Sequence, residues 1–115
     1  MSYTHEFGVL DLQNRQLSYD TYTPERFDCV SVDGELVDGL IDELRNMRTY
    51  SHSYDRPGFG LEECGVTLIP HESLTLFYQV VKQAMYTHES DELHRLISKI
   101  AQAQVEQKDM IHYGL

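Results

Sequence analysis

Six histidines, two cysteines and the glycine-rich stretch DRPGFGLEECG at residues 55–65 are the groups in this chain that could do chemistry. A dinucleotide-binding loop needs its third glycine three positions after the second, but Glu63 stands there after Gly58 and Gly60, and no helix follows. Asp55, Glu62 and Glu63 would also repel a phosphate. The loop therefore reads either as a shaped hairpin connection, with Pro57 fixing one dihedral, or as a contact surface. The connection alone explains the glycines but not Tyr54, Arg56 and Phe59, residue types enriched where proteins bind one another, although a loop aromatic commonly folds back onto its own core.

None of His5, His52, His71, His88, His94 and His112 falls in HExxH, His-x-His or a Cys/His set with metal spacing. The nearest approach to a chelating group is His88 and His94 around Glu89, Asp91 and Glu92, which leaves a small metal-dependent or hydrolytic enzyme as the alternative to a binding protein. His71, Glu72 and Ser73 are adjacent at a helix start, where they suit capping rather than a proton relay. Cys29 and Cys64, lacking CxxC partners, suit buried apolar positions in a reducing compartment. No catalytic residue, metal site or cofactor is expected.

The charge pattern carries more information. The net charge is −10 among 115 residues, and residues 1–63 hold 13 acids against five bases. So acidic a surface disfavours nucleic acid and anionic membranes as partners, since both reward Lys and Arg, and favours a basic polypeptide. Residues 34–47 place Leu36, Val37, Leu40, Ile41, Leu44 and Met47 on one helical arc with Asp33 before the first turn. Opposite that arc lie Glu35, Asp38 and Asp42, with Glu43 and Arg45 on the flanks. Asp20, Glu25, Asp28 and Asp33, interleaved with Tyr19, Tyr22 and Phe27, extend the character into the preceding segment. Carboxylates steer a basic partner and tyrosines offer rigid contact area, although a solvated acidic face kept for solubility has the same pattern. Glu35, Asp38, Asp42, Tyr22, Tyr54, Arg56 and Phe59 are the candidate partner-binding residues.

The elements that must position them follow from periodicity. Residues 4–12 read as a strand, QNR at 13–15 as a turn and QLSYDTY as its return. FDCVSV forms a short strand before the helix, and RTYSHSY and CGVTLIP form a hairpin across the glycine loop. Two helices follow, through Leu74–Met85 and from Ser90 past Ile100, and Met110–Tyr113 returns to the sheet. The fold class is α+β: residues 1–115 as a single two-layer domain, with about three helices on a mostly antiparallel sheet. The N-terminus lacks the pattern of a secretory signal and no apolar run is long enough to span a membrane, so a cytoplasmic protein is expected.

The size, the acidity, the α+β order and the run RPGFG…CGVTLIP closing with IHYG resemble small bacterial immunity proteins of polymorphic and contact-dependent growth inhibition toxin systems. The resemblance implies a protein that binds and neutralises one cognate toxin domain, with no catalysis of its own; with the charge pattern, a basic toxin domain such as a nuclease is the expected partner. It carries over no particular residue. A regulatory subunit of a larger assembly is the remaining alternative.

Overall fold

The computed structural model describes residues 4–10, 27–62 and 65–114. The proposed turn at 13–15, its return strand, Tyr19, Asp20, Tyr22, Glu25, Glu63 and Cys64 lie outside them. The element order is β1 (Thr4–Val9), β2 (Val30–Asp33), α1 (Gly34–Leu44), β3 (Arg48–Ser51), β4 (Pro57–Phe59), β5 (Gly65–Ile69), α2 (Leu74–Met85), α3 (Asp91–Glu106) and β6 (Met110–Gly114). All six strands form one sheet in the order β2-β1-β6-β5-β3-β4, every neighbouring pair antiparallel, with the three helices packed on it. This is the expected α+β architecture. No helix among the described residues is long and apolar enough to cross a membrane.

The strand pleat sorts side chains into two cores. Phe7, Val32, Ile69 and Met110 point to the helices and join Val37, Leu40, Leu44, Phe77, Val81, Leu93, Leu96 and Ile100 in the main cluster. Leu10, Val66, Leu68, Ile111 and Tyr113 point the other way and pack with Phe27, Cys29, Tyr50 and Tyr54. Gly8, on that second face, permits the approach: a Cβ there would lie 2.7 Å from the Cys29 sulfur and 2.8 Å from the Phe27 carbonyl oxygen.

The Asp33 side chain caps α1 by accepting from the Glu35 amide, and Glu92 of α3 accepts from the Asp33 amide at 2.9 Å. The helix ends three residues before the apolar arc does. Residues 45–47 turn, with the Met47 amide donating to the Leu44 carbonyl, while Met47 itself still enters the core. A buried residue just past the last turn thus extends the helical pattern without being helical.

Strand β4 is the element that periodicity did not reveal. It lies inside the glycine loop and pairs to the outer edge of β3, with Arg48 opposite Phe59 and Tyr50 opposite Pro57. Gly60 then takes a left-handed φ of 73°, its Cβ direction 3.4 Å from the Leu44 carbonyl oxygen, so the end of β4 abuts the end of α1.

Candidate functional site

The outward face of α1 is as acidic as its sequence. Glu35, Asp38, Asp42 and Glu43 are all exposed, and no basic residue lies between Gly34 and Leu44. Arg45, just past the end, donates to Asp42 at 2.7 Å, but both side chains are largely in water (73% and 83% exposed). Such a pair contributes about 0–1 kcal/mol and leaves most of the field in place. Asp28, before β2, lies 3.4 Å from Lys99 of α3.

The loop residues part company. The Tyr54 hydroxyl donates to Asp109 at 2.6 Å, and its ring tilts against Tyr50 with centroids 5.2 Å apart, so Tyr54 belongs to the second core. Arg56 is exposed and its Nη1 sits 2.6 Å from His52 Nε2. Ser53 donates to Asp55, holding that exposed carboxyl below its ordinary pKa. Phe59 projects with 68% of its surface exposed. Its register opposite Arg48, two residues from Tyr50, sets it on the sheet face turned away from the helices. The end of β4 thus meets the C-terminal end of α1 at Gly60, while Phe59 itself lies on the sheet face opposite to the helices. Tyr22 lies outside the described residues.

The histidines fall into two groups. His88 and His94, near the start of α3, are exposed, and among the described residues no three His, Cys, Asp or Glu side chains come together as a metal-holding group. His5 and His112 are instead almost wholly buried, at 1% and 0% exposure, on the helix-facing side of β1 and β6. Their rings stack with centroids 4.9 Å apart, and His5 Nδ1 shares a 2.7 Å hydrogen bond with His112 Nε2. His112 Nδ1 lies 3.2 Å from the buried Thr67 hydroxyl, whose oxygen also accepts from the Glu62 amide at 2.9 Å. Burial first, and the neighbouring His5 second, push the His112 pKa well below its usual value. Sequence reasoning did not single out this pair. Strand parity was the available signal, because His5 shares a face with Phe7 and His112 with Met110, both of which the core needs.

Asp109 was also missed. It accepts from Tyr54 and, at 2.8 Å, from the His71 amide, tying the loop and the start of the α2 segment to β6.

No family model, curated protein or solved structure matches this chain.

Proposed function

We propose that this chain is a binding protein of the immunity type, which neutralises a cognate basic toxin domain by covering it with the outward face of α1. The observation that carries the reading is the run of exposed carboxylates at Glu35, Asp38, Asp42 and Glu43 on a helix without a single base. A one-signed face costs helix stability, about 0.2–0.5 kcal/mol for each like-charged i,i+4 pair such as Asp38 and Asp42, so a partner that supplies the opposite charge accounts for it. The exposed Phe59, next to Gly60 where the end of β4 meets the end of α1, offers an additional apolar contact on the other face of the sheet. Tyr54 supports the loop from within rather than touching the partner.

The test is co-expression in bacteria with the polypeptide encoded beside this chain. That polypeptide is expected to arrest growth alone and to be tolerated, and to co-purify, when this protein is present. Growth arrest that persists with both expressed, or a neighbour harmless on its own, would remove the neutralising role.

A further inference from the structure

One position on α1 fits neither the helix nor the core. Gly39 stands in the middle of α1, is exposed, and has nothing within 4 Å of where a Cβ would sit. No left-handed backbone requires glycine there, and glycine inside a helix is less stable than alanine. Its neighbours on the helix surface are Glu35 and Glu43 one turn away on one row and Leu36 and Asp42 on the other. Beside it a groove of about 220 Å³ opens between α1, the end of α2 and the start of α3. Its lining is apolar at Leu36, Leu40, Ala84 and Leu93 and polar at Glu43, Gln83, Thr87 and His88, with the bare Gly39 on its wall.

Resting on the functional reading above, we infer that this groove receives an arginine side chain of the basic partner, and that Gly39 is bare to let it in. The aliphatic stem of an arginine matches the leucine and alanine wall. Its planar guanidinium matches Glu43, which accepts two parallel N–H bonds where a lysine offers only a point charge. Gln83 contributes a side-chain carbonyl acceptor at the same rim. The neighbouring Glu35 and Asp42 attract cations and repel the acidic side chains that would compete for the groove.

Titration of the isotopically labelled full chain at low salt with the peptide Ac-Gly-Arg-Gly-Arg-Gly-amide, followed by amide NMR shifts, tests this. Shifts at Gly39, Glu43, Thr87 and Leu93 are expected to saturate together, and at least three-fold more weakly with the lysine counterpart. Gly39→Leu is expected to weaken the groove response about ten-fold or more while leaving shifts at Asp38 unchanged within two-fold. Gly39→Ala, adding one methyl group, is expected to raise Tm by about 2–5 °C and to weaken the groove response several-fold, which keeps the test open should the leucine variant misfold. Shifts confined to Asp38 and Asp42, or a groove response indifferent to both substitutions, would overturn the arginine site and leave the broader reading standing. Silence at both places would count against both.

Discussion

Reversing Asp38 and Asp42 to lysine perturbs the proposed surface where the fold can best tolerate it. Both positions are exposed on α1, and the Asp42–Arg45 ion pair that the change displaces is itself in water. The stability cost is therefore about 0–0.5 kcal/mol, and Tm should stay within about 3 °C. Binding is different. A partner cation about 7 Å from a carboxylate gains about 0.6 kcal/mol in water, and a Debye length of about 8 Å reduces that to about 0.25 kcal/mol. Each reversal changes the local charge by two units, so the double variant loses about 1 kcal/mol, or roughly five-fold in Kd. Calorimetric titration of the partner encoded beside this chain, at physiological salt and again in 1 M salt, measures the effect. In 1 M salt, where the Debye length is about 3 Å, the two proteins should converge within about two-fold. Equal affinity at physiological salt would refute the reasoning. So would a difference that persists in 1 M salt, because a contact that ignores screening is not the long-range field invoked here.

Gly8→Ala should destabilise the fold by about 1–3 kcal/mol, because its methyl group meets the Cys29 sulfur and the Phe27 backbone inside van der Waals distance; urea unfolding checks it, and Cys29→Ala in the same chain should restore only part of the loss. Tyr54→Phe removes the donor to Asp109 and should cost about 1–3 kcal/mol in the same assay while leaving partner affinity within two-fold, as expected for a residue that supports the loop from inside. The buried His112 has a folded-state pKa below its unfolded value of about 6.5, so the unfolded chain binds more protons in the window below that value. Stability should be fully present above pH 6.5 and fall as the pH is lowered through that window. His112→Gln should flatten this dependence in unfolding measurements between pH 8 and 5.

Much of the architecture was legible because single elements declare themselves. The apolar arc of α1, the Ser90 cap whose hydroxyl accepts from the Glu92 and Leu93 amides, and the β-branched run of β5 each carry their own local pattern. Strand β4 does not. Three residues including Pro57 and Gly58 have no periodicity, and only pairing with β3 makes them a strand. The same limit governs the side chains. That Glu35, Asp38 and Asp42 share an exposed face follows from helix geometry alone, as does the place of Gly39 among them. That Tyr54 turns inward depends on an aspartate 55 residues away, and the histidine pair on partners 107 residues apart. Composition favoured Tyr54 as a contact residue, but it had no means of reporting that its hydroxyl was already engaged.

The most direct measurement is amide hydrogen exchange on this protein, free and bound to the partner encoded beside it. Slowed exchange concentrated in α1, residues Gly34–Leu44, and at the Phe59 edge is the predicted result. Protection confined to other elements, with α1 exchanging as in the free protein, would contradict the acidic face as the binding surface.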